Sequence, residues 1–233
     1  MQKIRGILFD FDGTLANTID LIVAAFEHTF KVCLGRQFTR EEIVSGFGLP
    51  LGEAMAKYAP TPDMVEAMRG VYRDFNMQHH DDMIKTIPGV SEAVAQLSDA
   101  GYKMAVVTSK KTPMARRGLK CCGLDKYIKT IVGCDDTACN KPHPEPMLVG
   151  AKLLGLKPND CICIGDSPFD LQSGHNAGAV TVAVRYTSFA WDKMLAEGKP
   201  DYVIDNMLEL PGLIDLINSK ANDAIIKGGI YNA

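Results

Sequence analysis

Short apolar runs recur along the chain, separated by longer stretches with helical periodicity. The runs are Ile4 to Phe9, Lys103 to Thr108, Ile128 to Gly133, Cys161 to Gly165 and Val180 to Val184. Each has about the length of a strand, and several lie between helix-length segments, the pattern of a mostly parallel sheet covered by helices on both faces. Helix ends are legible: Ser91 can cap a helix stopped by Gly101, Thr112 with Pro113 opens one stopped by Gly123, and Pro144 opens one stopped by Gly155. Between Thr18 and about Met83 the alternation gives way to helices alone. Ile22, Phe26 and Phe30 share a helical face within Ile19 to Leu34, Thr39-Arg40-Glu41-Glu42 is a capping box, and Thr61-Pro62 opens a third helix reaching about Asn76. The predicted fold class is α/β, with a parallel-sheet core formed by 1–16 and 84–217. An all-helical unit, 17–83, is inserted after the first strand, and a weakly patterned tail, 218–233, is expected to fray.

Composition narrows the partners. With 233 residues, 46% of them hydrophobic and 23% charged, the chain has the makeup of a globular protein that folds unaided. A net charge of -3 gives no broad cationic footprint, so neither nucleic acid nor an anionic membrane is an expected partner. The first apolar run is too short, and too soon acidic, for a signal peptide, and no stretch approaches the ~18 apolar residues of a membrane span. The expected location is the cytoplasm. Seven cysteines without paired C-x-x-C spacing do not read as a zinc site. Cys161 and Cys163, two apart in an apolar run, share a strand face as reduced, buried thiols.

Ligands of open parallel sheets bind outside the carboxyl ends of the strands. The first strand ends in Asp10-Phe11-Asp12-Gly13-Thr14, the second in Thr108-Ser109-Lys110, and the fourth in Gly165-Asp166-Ser167-Pro168-Phe169-Asp170, while Lys141 follows shortly after the third. Taken singly, each is equally a turn signal, a strand threonine or a solvated lysine. Their joint occurrence at sheet ends reverses that reading. Asp10, Asp12 and Asp166 brought together would repel one another without a cation, and hard oxygen ligands suit magnesium. Thr108 and Lys141 would supply donors to phosphoryl oxygens, Asp10 would attack phosphorus, and Asp12 would serve as acid and then base. His79, His80 and His143 show no partner set and read as solvated or satisfied.

Phe9-Asp10-Phe11-Asp12-Gly13-Thr14 resembles the first motif of the haloacid dehalogenase superfamily phosphatases, with Thr108, Lys141 and Gly165-Asp166-x-x-x-Asp170 as the second, third and fourth motifs. The resemblance spans about Ile4 to Asp205. It implies a Rossmann-like core under a small helical cap. It also implies magnesium held by the Asp10 carboxylate, the Asp12 backbone carbonyl and Asp166, with Asp170 as a neighbouring carboxylate. Gly48-Leu49-Pro50-Leu51 is similar to the cap segment that faces substrate in phosphoglycolate-phosphatase-like members, which makes Gly48 and Ser109 candidate substrate contacts. Asn17-Thr18 departs from the Asp-Ser of many relatives and bears on subfamily. Asp12 argues against the dehalogenase and phosphonatase branches, and the absence of Arg or Lys from Ser45 to Ala54 argues against a β-phosphoglucomutase-like transferase. The expectation is a phosphatase acting on a small phosphorylated metabolite of phosphoglycolate type, as a monomer or homodimer, with inorganic pyrophosphate or the transferase reaction as alternatives. Two non-enzymatic readings, a receiver-like phospho-acceptor and a binding protein on an inactivated scaffold, fit less well. Receivers are about half this length, and every motif residue is present here.

Overall fold

The computed structural model describes residues 3–44, 46–47 and 49–229. Its strands are β1 (Gly6–Phe9), β2 (Ala16–Asn17), β3 (Lys85–Thr86), β4 (Lys103–Val107), β5 (Thr130–Val132), β6 (Cys161–Gly165), β7 (Val180–Val184) and β8 (Tyr202–Ile204). Six of them form one sheet in the order β5-β4-β1-β6-β7-β8, parallel throughout. Five of these strands coincide with the apolar runs. The sixth, β8, is a three-residue edge strand with too little apolar sequence to announce itself.

Helices α1 (Ile19–Leu34), α2 (Arg40–Val44), α3 (Leu51–Ala56) and α4 (Pro62–Met83) make up the insertion. The sheet is flanked by α5 (Val90–Asp99), α6 (Thr112–Cys121), α7 (Glu145–Leu153), α8 (Pro168–Ala177), the short α9 (Trp191–Lys193) and α10 (Leu210–Gly229). Strand side chains alternate between two cores, as a period of two requires. Ile7, Phe9, Val106, Ile162 and Ile164 pack with α5, α6 and α10 on one face. Leu8, Ala105, Val107, Cys161 and Cys163 pack with α7 on the other. The architecture is the α/β parallel sheet with helices on both faces that the sequence predicts.

Three local expectations need correction. The first helix after the insertion starts at Val90 and not at Ser91: Gly89 takes the N-cap position at φ 83, where a Cβ would stand 2.5 Å from Asn206 Oδ1. The Thr61-Pro62 helix runs on to Met83, past Asn76. And the segment from Asn218, expected to fray, continues α10. Asn218 is buried, accepts a hydrogen bond from Ile4 N at 2.7 Å and donates to Ile4 O at 3.3 Å.

The insertion has a core of its own, centred on Phe26, Phe30, Met55 and Met68, with the Phe30 ring 4.4 Å from Phe38 and 4.9 Å from Tyr58. Thr39 and Glu42 cap α2 reciprocally, Thr39 N donating to Glu42 Oε2 at 2.8 Å and Glu42 N to Thr39 Oγ1 at 3.2 Å. The chain enters and leaves this unit through the antiparallel pair β2–β3. Among the described residues no helix is long and apolar enough to cross a membrane.

Candidate active site

Because β1 lies between β4 and β6, the residues that follow these three strands converge. Asp10 continues β1, and its N–H donates to Ile164 O at 2.8 Å, fastening the strand exit to β6. Asp166 follows β6, and Asp170 stands in the first turn of α8. The carboxylates of Asp10, Asp166 and Asp170 each place an oxygen within 4.8 Å of the others, and all three residues are buried. A capping box fixes Asp170, whose Oδ2 accepts from Ser167 N at 3.1 Å and Ser167 Oγ at 2.7 Å. Lys141 Nζ joins the set, 2.8 Å from Asp10 Oδ1 and 2.6 Å from Asp170 Oδ1. The turn before Lys141 is tied down by Glu145, whose carboxylate accepts from Cys139 N at 2.8 Å and Ala138 N at 3.3 Å. These two backbone donors hold the Glu145 carboxyl below its ordinary range.

Three carboxylates share one ammonium here. Burial pushes the Asp10 carboxyl up to about 7, with Asp170 and Asp12 adding to the rise and Lys141 opposing it. Burial likewise raises Asp166 well above the carboxylate range, reinforced by Asp10 and Asp170. Burial alone would lower the Lys141 ammonium, but Asp10 and Asp170 outweigh it and keep Lys141 protonated. No hydrogen-bond donor among the described residues reaches the Asp166 carboxylate. A buried, donorless carboxylate beside two others is a set of hard oxygens with excess negative charge, and it fits a divalent cation of the magnesium type.

Over this cluster lies a cavity of about 450 Å³ between the core and the helical insertion. Asp12, Thr108 and Ser109 line it from the core. Thr108 Oγ1 accepts from Lys110 N at 3.1 Å, which leaves its hydroxyl proton free for a ligand. Lys110 Nζ pairs with Asp12 Oδ1 at 3.0 Å. Gly48 lies outside the described residues; Leu49, Pro50 and Leu51 after it face the cavity. Every other predicted site residue is part of the carboxylate cluster or the cavity wall.

Sequence reasoning missed the contribution of α4. Arg69, Tyr72, Arg73, Asn76 and Met77 line the cavity at positions i, i+3, i+4, i+7 and i+8, one face of a helix. That spacing was present in the sequence, but a mixed polar face reads as solvent-facing until something is known to lie beneath it. Of the two readings of His80, solvated or satisfied, the structure shows a buried, bonded ring, with Nδ1 2.8 Å from Asp81 Oδ1, which also pairs with Arg117.

Fold and site together define an α/β protein with its candidate active site at the carboxyl ends of the strands, beneath a helical roof. The chain belongs to the haloacid dehalogenase-like hydrolase family, whose pattern matches residues 7–184. It is 41% identical, over 93% of its length and 100% of the relative, to a Clostridium perfringens protein provisionally named a PpaX pyrophosphatase. It is 38% identical to the pyrophosphatase PpaX of Bacillus mycoides, again over 93% of this chain and 100% of the relative. Among solved structures, one from Haemophilus somnus, described as a predicted phosphoglycolate phosphatase, superposes with a TM-score of 0.79 at 24% identity, covering 91% of this chain and 99% of that one. That last likeness is one of fold. The chain is thus a haloacid dehalogenase-like hydrolase.

Proposed function

We propose that the chain is a magnesium-dependent phosphohydrolase that removes a phosphoryl group from a small phosphorylated compound through an aspartyl-phosphate on Asp10. The observation that carries the reading is Lys141 bridging Asp10 and Asp170 in a buried carboxylate cluster at the floor of a cavity. Lys141 occupies Asp10 Oδ1 and leaves Oδ2 without a donor among the described residues, so Oδ2 is the nucleophilic oxygen. As the Asp10 O–P bond forms, the bond from phosphorus to the leaving oxygen breaks. Thr108 and Lys141 donate to the phosphoryl oxygens. Asp12, at the cavity wall and held by Lys110, protonates the leaving oxygen, then takes the proton of the water that attacks phosphorus and frees Asp10. Asp10, Asp166 and the Asp12 backbone carbonyl, with Asp170 beside them, would hold a magnesium ion, which would supply positive charge to offset that of the phosphoryl group.

As substrate, pyrophosphate stands ahead of the phosphoglycolate type first expected, because the relatives at 38% and 41% identity carry the pyrophosphatase name. The sequence argument against a transferase weakens, since Arg69 and Arg73 supply cations to the roof from outside 45–54. One assay separates the three readings: phosphate release with magnesium from pyrophosphate, phosphoglycolate and sugar phosphates. Release from pyrophosphate is expected, reversibly silenced by EDTA and abolished in a folded Asp10→Asn protein. Turnover near wild type in that variant overturns the nucleophile assignment, and sugar-phosphate isomerisation without phosphate release favours the transferase.

A further inference from the structure

Among the described residues, three groups of side chains bring metal-ligating atoms together. One is the Asp10, Asp166 and Asp170 cluster already described. In the second, His80, Asp81 and Cys121, the place of a cation is taken: Arg117 Nε pairs with the Asp81 carboxylate at 2.8 Å and would repel an incoming ion. The third, Cys139, His143 and Glu145, has no such guard, and each residue places a ligand atom within 4.8 Å of the others. It stands on the loop that delivers Lys141, with Cys139 on one side of the lysine and His143 on the other. Lys141 does not compete for Glu145, because its Nζ is turned inward to Asp10 and Asp170.

This loop is held in shape by bonds that leave the three side chains facing one another. Glu145 opens α7, and the N–H groups of Cys139 and Ala138 keep its carboxylate ionised and aimed back along the loop. Thr137 Oγ1 donates to Cys139 O at 2.9 Å, Ser173 Oγ to His143 O at 2.7 Å and Asn176 Nδ2 to Pro142 O at 3.0 Å. Pro142 and Pro144, on either side of His143, further restrict the backbone there. Glu145 N lies 3.2 Å from His143 Nδ1. It is one of the first-turn N–H groups that a helix leaves without an internal partner, so water can take it over when the ring turns to a metal. His143 is exposed and Cys139 half-buried, which gives an ion access from solvent.

We propose that Cys139, His143 and Glu145 form a binding site for a divalent ion of the zinc type, separate from the carboxylate cluster. A thiolate, an imidazole and a carboxylate suit zinc, whereas magnesium takes oxygen ligands. With bonds of about 2.0–2.3 Å, the ligands of a tetrahedral zinc stand about 3.3–3.6 Å apart, so the loop needs to draw in by no more than about 1.5 Å. Three protein ligands leave the fourth position to water, and the Cys139 thiol gives its proton to solvent as the ion binds. The spacing Cys139-x-x-x-His143-x-Glu145 contains no C-x-x-C pair, and only the turn into α7 gathers it. An ion bound there closes a ring of backbone around Lys141 and pins both flanks of that residue. The site stands on these three residues alone, whether or not Asp10 is the nucleophile.

The test uses the full chain, reduced, stripped with EDTA, returned to excess magnesium to fill the carboxylate cluster, and titrated with cobalt(II) as a spectroscopic substitute for zinc. The wild type is expected to develop a thiolate-to-cobalt charge-transfer band in the near ultraviolet, which added zinc removes. The band is expected to vanish in Cys139→Ser and to survive in Cys121→Ser and Cys134→Ser. In His143→Ala it should require at least about tenfold more cobalt, since even outer partners of a metal ligand are worth that much. In excess magnesium, zinc should raise the melting temperature of the wild type but not of the Cys139→Ser, His143→Ala double variant. No band in the folded wild type, or a band that persists in Cys139→Ser, overturns the site. A band lost in Cys121→Ser instead assigns the thiolate to the His80 group and overturns it equally.

Discussion

Gly13 shows how tightly single residues are constrained around the carboxylate cluster. It follows Asp12 at φ 83, and an added Cβ would stand 2.3 Å from Asp166 Oδ2, the carboxylate that no donor among the described residues reaches. Gly13→Ala must therefore distort the turn or displace Asp166. The expected outcome is a loss of about 1–3 kcal/mol in urea unfolding, together with a rise in the magnesium concentration that gives half-maximal phosphate release. An unchanged magnesium requirement in a destabilised variant would argue against Asp166 as a ligand. At this scale the sequence was most informative. Asp10, Asp12, Thr108, Lys141 and Asp166 could be placed because strands end where apolar runs end, and a parallel sheet leaves little freedom in where those ends point. Lys110 and Arg73 could not, because a lysine beside a motif and an arginine on an amphipathic helix have the same local pattern whether they face solvent or a ligand.

Elements meet most tellingly where α4 returns to the core. Its last turns lie against α6, and Asp81 accepts from three groups there: His80 Nδ1 at 2.8 Å, Arg117 Nε at 2.8 Å and Cys121 Sγ at 3.1 Å. His80 is buried with Nε2 unpartnered. Burial pushes its pKa below the ordinary value, with Lys110 and Arg117 in the same direction and Asp81 opposing. The folded protein therefore resists a proton that the unfolded chain accepts below about pH 6.5. Stability from this group is fully present above that pH and is lost as pH falls through the window beneath it. The melting temperature is expected to drop by several degrees between about pH 7 and about pH 5.5, and His80→Gln should flatten that slope whatever it does to stability at neutral pH. A wild-type profile level across the window would show that the ring protonates freely in place. Helix ends in this region outran the sequence signals: α4 continues seven residues past Asn76 to Met83 because packing on the core, and not propensity, sustains it.

At the scale of the whole molecule, the ends of the chain hold each other. Ile4 leads into β1, the strand that carries Asp10, and both of its backbone polar groups are bonded to the buried amide of Asn218 in α10. The sequence suggested that the body ended near position 217, because the apolar spacing thins there. The structure uses a polar residue for the junction, and Ala221 beyond it is also buried. Asn218→Ala leaves two buried backbone groups without partners and is expected to cost about 1–3 kcal/mol, read by urea unfolding. The Asp10 chemistry lies at the opposite end of β1, so kcat is expected to hold under conditions where the variant stays folded.

The two-residue pair β2–β3, with Ala16 opposite Thr86 and Asn17 opposite Lys85, has a consequence for how this protein family can diversify. Facing residues of an antiparallel pair stand only about 5 Å apart. The whole helical unit is thus spliced into the core through a gap that a tight hairpin could close, with Ile87 N still bonded to Leu15 O at 3.1 Å just inside it. Such a junction works as a socket: one roof can be exchanged for another, or trimmed away, without moving a strand end that carries an aspartate. New substrates can then be acquired by grafting helices, while the machinery beneath them is inherited intact.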